Sequence, residues 1–281
     1  MTIKIASRTS KLALAQVEEF ISEYQISDYE IVKIKTEGDI RSARGETLFD
    51  KAHFVSDIQK CLLNKDVDIA IHSAKDTPAR ETKGICRTFL LSKTTKDVLI
   101  FNNDTEFDAE MRLGTSSLRR KLQAKHHLGS KNISNIFGNV DTRLEKLFRG
   151  DYDCIILAKA GLERLKLLKE LKYKDMKWIT ASGQGTLAIE FLNNIKNLNF
   201  ESHQKAIDKV NASIQAQRQV LDAIDASCNS AISIQSNQHD YEISGEIYGK
   251  KKYISFLGSN SLDAIESIIK QDGLKLLNEH N

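Results

Sequence analysis

Short apolar stretches alternate with amphipathic helical stretches through the first seventy residues. Ile3 to Ala6 is typical of a strand, and Ser10 can cap a helix that follows it. The apolar face of that helix comprises Leu14, Val17, Ile21 and Tyr24. Val32 and Ile34 alternate with lysines, as in a strand. A second helical stripe comprises Phe54, Ile58, Cys61 and Leu62. The segment V-D-I-A-I-H then indicates a buried strand that ends at His72.

The pattern repeats in the next block. It predicts strands from Val98 to Phe101 and from Ile133 to Phe137, a helix from Val140 to Phe148, and a buried strand in C-I-I-L-A. Leu113 leads into G-T-S-S-L-R-R, which opens another helix. Repeated βα units indicate an α/β fold with a mostly parallel sheet and helices on both faces.

The end of the chain has a different pattern. After G-Q-G-T-L-A-I-E it predicts a long helix from Glu201 to Ala223. Strands near Ile232, Ile243 and Tyr253 follow, and then a helix from Ser261 to Leu277. This block predicts a small α+β domain.

Basic and hydroxyl residues follow four of the predicted strands. The segments are S-R-T-S, H-S-A-K-D, G-T-S-S-L-R-R and F-G-N-V-D-T-R. In open α/β sheets, ligands bind beyond the carboxyl ends of the strands, and helix N-termini and arginines bind carboxylate or phosphate. Each segment could also be an ordinary capped helix with a solvated basic face. Together they predict a cleft for a small molecule rich in carboxylates.

Composition restricts the class of protein. The chain has 281 residues, 41% of them hydrophobic, and a net charge of +3. It has no apolar run of the roughly 20 residues needed to span a bilayer, and its start lacks the apolar core of a signal peptide. The four cysteines are scattered, which favours free thiols in a reducing compartment. We expect a cytoplasmic enzyme that uses no metal and binds neither membrane nor nucleic acid.

Two further segments could carry chemistry. In H-S-A-K-D, Asp76 beside Lys75 could stabilise a cation or move a proton, although a loop salt bridge and a buried His72 are the plainer interpretations. Cys228 lies in the small, polar segment D-A-S-C-N-S, where its thiol could be a nucleophile or an attachment point or have no role. Cys61 and Cys154 lie on apolar faces and are expected in the core.

These segments, in this order, resemble the hydroxymethylbilane synthase (porphobilinogen deaminase) family. The resemblance runs from I-A-S-R-T-S-K-L-A-L-A-Q through D-I-A-I-H-S-A-K-D-T-P and L-G-T-S-S-L-R-R. It continues through G-N-V-D-T-R-L-E-K-L, Y-D-C-I-I-L-A-K-A-G-L-E-R-L and G-Q-G-T-L-A-I-E. It covers most of residues 3–192 and is weaker beyond them.

The resemblance implies a fold and an activity. Two domains would resemble type II periplasmic binding proteins, with mostly parallel sheets, and a small α+β domain would follow them. The expected bounds are 1–95 with 186–204, then 96–185, then 205–281. The family is a transferase of haem biosynthesis that deaminates porphobilinogen and joins the units into a linear tetrapyrrole. A dipyrromethane cofactor, thioether-linked to a cysteine, primes the chain, and a monomer is expected.

The resemblance also implies roles for single residues. Asp76 matches the catalytic aspartate, and Cys228 matches the cysteine that carries the cofactor. Residues matching the cofactor- or substrate-binding positions are Arg8, Ser10, Lys51, Ser73, Lys75, Thr115, Ser117, Arg119, Arg120, Gly138, Asn139, Arg143, Arg164 and Gln184.

Some positions depart from the family pattern. Phe137 stands where an arginine is usual, and Asp141 stands where a glycine is usual. The loop F-D-K-A-H-F-V and the surroundings of Cys228 lack the usual glycines. We therefore expect an active but slower enzyme, with Lys93, Lys96 or Lys131 as sources of substitute charge.

Three other interpretations of the sequence are possible. The first is a related scaffold that binds a tetrapyrrole or another anionic metabolite without catalysis. The second is a periplasmic-type solute receptor, and the third is an RNA-binding protein. A pure binder needs neither Asp76 nor Cys228, and the basic residues are not interleaved with the aromatic residues that stack on RNA bases.

Overall fold

The computed structural model describes residues 2–43, 54–103, 105–192, 203–227, 229–237 and 241–280. Within them lie three β-sheets, two with five strands and one with three. The expected α/β class is confirmed for the part of the chain that contains the two larger sheets.

The first sheet has the strand order β2-β1-β3-β10-β4. Its strands are β1 (Ile3–Arg8), β2 (Tyr29–Ile34), β3 (Ile69–Ser73), β4 (Cys86–Leu90) and β10 (Leu187–Phe191). The helices around it are α1 (Lys11–Glu23), α2 (Glu37–Ala43) and α3 (Ser56–Leu63).

The second sheet has the order β7-β6-β8-β5-β9. Its strands are β5 (Asp97–Phe101), β6 (Leu113–Gly114), β7 (Ile133–Ser134), β8 (Cys154–Ala158) and β9 (Tyr173–Asp175). Its helices are α4 (Leu118–Leu128), α5 (Val140–Phe148) and α6 (Lys159–Arg164).

Both sheets are mixed, with two parallel and two antiparallel pairings each. In the first sheet, β1 pairs in parallel with β2 and β3, whereas β10 runs antiparallel to β3 and β4. In the second, β5 runs antiparallel to β8 and β9. The physical reason is the chain path: β5 and β10 follow the segments that connect the two sheets, so each enters its sheet from the opposite direction.

Both faces of the larger sheets are buried. Neighbouring residues of β3 divide between two apolar clusters, with Ile69 and Ile71 on one face and Ala70 on the other. In β8, Ile155 and Ile156 divide in the same way. Successive strand residues point to opposite faces, so strands covered on both sides have the continuous apolar sequences seen here.

The last part of the chain begins with a long helix, α7 (Gln204–Ala223). Three antiparallel strands follow, β11 (Ile232–Ser236), β12 (Ile243–Tyr248) and β13 (Tyr253–Gly258), and then α8 (Ser261–Lys270) and α9 (Gly273–Asn278). The single helix predicted from Ser261 to Leu277 is wrong. It is broken because Asp272 adopts the left-handed conformation, with a φ of 56°, between α8 and α9.

Candidate active site

A cavity of about 320 Å³ lies where the first two sheets and the third face one another. Its size is at the lower end of the range of small-molecule sites. Thirteen of the sixteen predicted site residues line it: Arg8, Ser10, Ser73, Lys75, Asp76, Ser117, Arg119, Arg120, Gly138, Asn139, Arg143, Arg164 and Gln184. The topology of each sheet brings together the carboxyl ends of its own parallel strands, and the cavity lies where the ends from the two sheets meet.

Three predicted residues do not appear in that lining. Thr115 is buried at the end of β6, where its Oγ1 accepts a hydrogen bond from the Ser117 backbone N–H at 3.3 Å. It therefore shapes the start of α4 without facing the cavity. Lys51 and Cys228 lie outside the described residues. Ser227 and Ser230, on either side of Cys228, both line the cavity.

Asp76 ends a short 3-10 turn, Ala74–Asp76, that directly follows β3. The turn is closed by Thr77, whose hydroxyl donates to the Ala74 carbonyl at 2.7 Å. Among the described residues, no hydrogen bond or ion pair engages the carboxylate of Asp76, which is half-buried in the cavity wall. The carboxylate is therefore available to a ligand.

Arg143, on α5, is a positively charged group of the cavity that interacts electrostatically with Asp76. Its Nε donates to the Gly138 carbonyl at 2.7 Å, and none of the described carboxylates forms an ion pair with it. Burial, and then the charge of Arg120, lower the pKa of Arg143 to about 10, while Asp76 opposes that shift. At neutral pH Arg143 remains a cation, and a carboxylate of a ligand would be a favourable partner for it.

Arg119 and Arg120 line the cavity but are already bound to a carboxylate. Arg119 NH1 lies 3.0 Å from Asp97 Oδ2, and Arg120 NH2 lies 2.7 Å from Asp97 Oδ1. Gln184 also donates to Asp97, at 2.8 Å. Burial would raise the pKa of Asp97, but the two guanidinium groups outweigh it and hold that pKa well below its usual range. Asp97 was missed by the sequence analysis, although an acid at the start of the apolar run D-V-L-I-F was a usable signal.

Arg8 and Arg164 are also paired. Arg8 forms an ion pair with Asp39 and lies 4.1 Å from the centre of the Phe54 ring. Arg164 bonds to Glu19 at 2.6 Å and to the Leu91 and Gly185 carbonyls. Both side chains thus reach the cavity as members of ion pairs, and their charge is partly offset.

The hydroxyls at the helix starts act as caps. Ser10 Oγ accepts from the Ala13 N–H at 3.2 Å, and Ser117 Oγ accepts from the Arg120 N–H at 3.5 Å. Both hydroxyls therefore cap their helices, but Arg119 and Arg120 at the start of α4 are buried and do not form a solvated basic face. Both serines also line the cavity. Ser73 Oγ accepts from Gln16 Nε2 at 2.8 Å.

His72 is a buried histidine, as the plainer interpretation held. Its Nε2 lies 3.3 Å from Glu190 Oε2, and Arg87 NH2 lies 2.7 Å from Glu190 Oε1. Burial would raise the pKa of Glu190, but His72 and Arg87 lower it to about 2. This charged group lies under the Asp76 turn and was not predicted.

The positions that depart from the family pattern also have defined surroundings. Phe137 does not line the cavity, and its carbonyl accepts from Lys146 Nζ at 3.1 Å. Asp141 lies in the lining, and Lys11 of α1 approaches it to 3.5 Å. Lys93, Lys96 and Lys131 pair instead with Glu19, Asp175 and Glu110. The expectation that they supply charge to the cavity gains no support, because none of them lines it.

Other kinds of site are not evident in the part of the chain described. Its His, Cys, Asp and Glu side chains form no group of three or more suited to hold a metal ion. None of its helices is both long and apolar enough to cross a membrane. The available carboxylate of Asp76, the partly buried cation of Arg143 and the hydroxyls together suit a ligand that carries both acidic groups and a centre of developing positive charge.

The sequence of this chain is similar to those of known proteins of one family. The family model described as "Porphobilinogen deaminase, dipyromethane cofactor binding domain" matches residues 3–199. A porphobilinogen deaminase of Francisella philomiragia is 37% identical over 256 residues, which cover 86% of this chain and 84% of that protein. One of Bacillus subtilis is 34% identical, over 87% of this chain and 82% of that protein.

Two solved structures resemble this chain only loosely. The periplasmic aliphatic sulphonate binding protein SsuA from Escherichia coli is 10% identical, with a TM-score of 0.38, over 81% of this chain and 75% of that chain. The regulatory domain of HypT from Salmonella typhimurium is 11% identical, with a TM-score of 0.43, over 75% of this chain and 95% of that chain. Likenesses this loose say nothing about the ligand.

Proposed function

This chain belongs to the porphobilinogen deaminase family, and we propose that it deaminates porphobilinogen and joins the units head to tail into the linear tetrapyrrole hydroxymethylbilane. The observation that carries the proposal is the cavity whose lining contains both the available Asp76 carboxylate and the partly buried Arg143 cation, which interact electrostatically. Porphobilinogen has acetate and propionate groups on a pyrrole ring, so it has the two kinds of group that this cavity suits.

The residues present also fit the dipyrromethane cofactor. Its pyrroles bear the same acidic groups, and the cavity offers Arg143, Ser117 and Asn139 to them. Ser227 and Ser230 line the same wall, so the chain on both sides of Cys228 reaches the cavity. When bound, the cofactor supplies the pyrrole carbon to which the first substrate unit is joined.

Asp76 would act on the reacting ring. Its carboxylate would accept hydrogen bonds from pyrrole N–H groups and would stabilise the positive charge that develops as ammonia leaves. A preorganised carboxylate in a partly desolvated cavity stabilises that charge more than water does. Arg143 would hold a ring carboxylate, which fixes the orientation of the ring against Asp76.

Arg119, Arg120 and Gln184 have a different role in this proposal. Since all three are bound to Asp97, they form a rigid charged wall whose net charge is one unit positive. Arg8 and Arg164 would likewise offer part of their charge to ligand carboxylates in the cavity. Lys51, Lys75, Ser10, Ser73, Thr115 and Gly138 stay predictions as cofactor- or substrate-binding residues.

The first experiment is the intact mass of the purified protein, with Cys228→Ser beside the wild type and Ehrlich's reagent as a colour test. We expect a dipyrromethane-sized adduct on the wild type and none on the variant. A wild-type mass without the adduct, unchanged by incubation with porphobilinogen, would contradict the proposal.

A second experiment tests the role of Asp76 by measuring the kcat of two further variants. Asp76→Asn keeps the shape of the side chain and removes its charge, so kcat should fall by roughly a hundredfold or more. Asp175→Asn is the matched control, because Asp175 pairs with Lys96 and Lys159 outside the cavity lining. Its kcat should stay at the wild-type value.

The alternative is a homologue that binds a tetrapyrrole or another anion without catalysis. Nothing in the site or in the relatives favours it. It would be preferred only if the adduct formed and porphobilinogen were bound while no ammonia was released.

Location, oligomeric state and domain bounds are parts of the proposal. We assign the protein to the cytoplasm as a monomer, with units at 1–95 with 186–204, 96–185 and 205–281. Support for the bounds comes from β10, which lies in the first sheet although it follows the second in sequence. Light scattering of the purified protein tests the monomer.

A further inference from the structure

We infer that Arg218, on α7, is a positioning residue that fixes the turn bearing Asp76. The inference rests on the proposed function, since it assigns Arg218 a role in the reaction that Asp76 serves. Sequence motifs did not single out Arg218, which lies beyond the segments of strongest resemblance.

The contacts of Arg218 converge on the residues around Asp76. One terminal nitrogen donates to the Ala74 carbonyl at 2.8 Å and to Thr77 Oγ1 at 2.6 Å. The other donates to the Pro78 carbonyl. The acceptors therefore lie on both sides of Lys75 and Asp76, and the planar fork of the guanidinium holds the two ends of the turn together.

Arg218 is unusual as a buried cation that serves mainly neutral acceptors. It forms no ion pair with a carboxylate in the described parts of the chain, and its flat face lies 4.7 Å from the centre of the Phe89 ring. Burial, and then the charge of Arg87, lower the pKa of Arg218 to about 9. Since a buried charge is expensive unless its environment compensates it, hydrogen bonds to the turn are its main compensation.

Arg87, on β4, forms a hydrogen bond with the same turn. Its NH1 donates to the Pro78 carbonyl at 2.9 Å, and its NH2 pairs with Glu190 at 2.7 Å. Pro78 thus receives hydrogen bonds from both arginines, one on β4 and one on α7. The turn is held between the first sheet and the long helix.

The helix also leads to the segment that contains Cys228. It ends at Ala223, and Ser227 lines the same cavity as Asp76. Asn211, seven residues before Arg218 and so on the same face of α7, bonds to the Phe89 backbone N–H and carbonyl at 3.0 Å each. One rigid helix therefore connects the Asp76 turn with the cysteine segment, and Arg218 is its contact with the turn.

The test compares Arg218→Lys with Asn211→Ala. Lysine keeps the positive charge but cannot bridge the turn, whereas Asn211→Ala loosens the same helix from β4 and leaves the turn contacts intact. We expect Arg218→Lys to retain its adduct by intact mass and its KM, while kcat falls about tenfold. For Asn211→Ala, kcat should stay within about twofold of the wild type at a comparable loss of thermal stability.

A double-mutant cycle with Asp76→Glu tests whether Arg218 affects kcat through the position of Asp76 or only by holding α7 against the first sheet. If Arg218 acts through Asp76, Arg218→Lys should lower kcat little further in the Asp76→Glu background. Additive losses would overturn the inference. Should Arg218→Lys fail to fold, Thr77→Val removes one acceptor of the same fork, and the same selective loss of kcat is expected from it.

Other outcomes also decide the matter. Equal kcat losses in Arg218→Lys and Asn211→Ala, or an Arg218→Lys protein that is inactive only because it lacks the adduct, would overturn the inference and leave the proposed function standing. A wild type with neither adduct nor turnover would overturn both.

Discussion

At the scale of single residues, the cavity divides its charged side chains into paired and unpaired groups. Arg119 and Arg120 share Asp97, Arg8 is bound to Asp39, and Arg164 is bound to Glu19. Two other arginines line the cavity, Arg143 and Arg218, and neither has a carboxylate partner among the described residues. A ligand carboxylate thus gains most at Arg143. At Arg8, Arg119, Arg120 and Arg164 it would compete with an acid of the protein, and the guanidinium of Arg218 is already bonded to the turn around Asp76.

Asp141 is the residue that works against such a ligand. It adds a negative charge to the cavity lining, and its partner Lys11 is largely exposed at 75%. We expect Asp141→Asn to lower KM about threefold, because one repulsion against substrate carboxylates is removed. Steady-state kinetics with porphobilinogen would measure it.

The matched control is Glu145→Gln on the same helix, whose side chain is exposed and outside the cavity lining. Its KM should not change. An acid in the first turn stabilises a helix by about 0.3–1 kcal/mol, so Asp141→Asn should be slightly less stable than Glu145→Gln. An unchanged or higher KM for Asp141→Asn would contradict the prediction.

At the scale of elements, the return from the second sheet to the first depends on the G-Q-G turn before β10. Gly183 and Gly185 have positive φ angles of 68° and 87°. A Cβ on Gly185 would lie 2.5 Å from the Thr94 carbonyl oxygen, in the other connection between the sheets. Gly185 is therefore needed because the two connecting segments pass close to each other, and Gln184 beside it reaches Asp97.

Gly185→Ala should therefore destabilise the protein by about 3 kcal/mol, through backbone strain and a clash with a carbonyl that cannot move freely. Urea unfolding would measure the loss. Gly129→Ala is the matched control, since Gly129 also has a positive φ but no atom lies within 4 Å of its added Cβ. It should lose only about 1 kcal/mol, and equal losses would show that the close approach is unimportant.

At the scale of the whole molecule, two buried carboxylates lie behind the cavity. Asp97 joins two arginines of α4 to the connection at Gln184, and Glu190 joins β3, β4 and β10 through His72 and Arg87. Both are ionised in the folded protein with lowered pKa values. Removing one partner of a buried pair leaves an uncompensated charge, so these groups tie fold stability to pH.

The sign of that dependence follows from Glu190. Its pKa falls from 4.5 to about 2 on folding, so its stabilising effect is complete above pH 4.5 and is lost as pH falls towards and through 2. Glu190→Gln should be about 3 kcal/mol less stable at pH 7, and the difference from the wild type should shrink as the pH approaches 2.

Urea unfolding at pH 7, 4.5 and 3 would follow this difference. Glu266→Gln serves as the control, because Glu266 forms an exposed pair with Lys270 and such pairs contribute little. A Glu190→Gln deficit that stayed constant from pH 7 to pH 3 would contradict the assigned linkage.

Much of the fold and of the site followed from local sequence. The bounds Val140–Phe148 of α5 and Cys154–Ala158 of β8 were predicted to the residue, because apolar periodicity and caps act over a few neighbours. The meeting of the basic segments was predictable only within each sheet, since parallel strands of one sheet place their carboxyl ends at one edge. The four segments follow strands of two different sheets, and how those sheets face each other was not predicted. Family motifs then supplied the substrate class and singled out Asp76 and Cys228.

Tertiary structure decided what the sequence could not. The antiparallel entry of β5 and β10 depends on which sheet each strand joins, and strand periodicity is the same in either direction. The pairing of Arg119 and Arg120 with Asp97, more than twenty residues away, decided that their charge is already shared. Arg218 reaches the Asp76 turn from 140 residues along the chain, a contact with no local signal. The chain by itself therefore determined which chemical groups are present, and folding determined which of them remain free to bind.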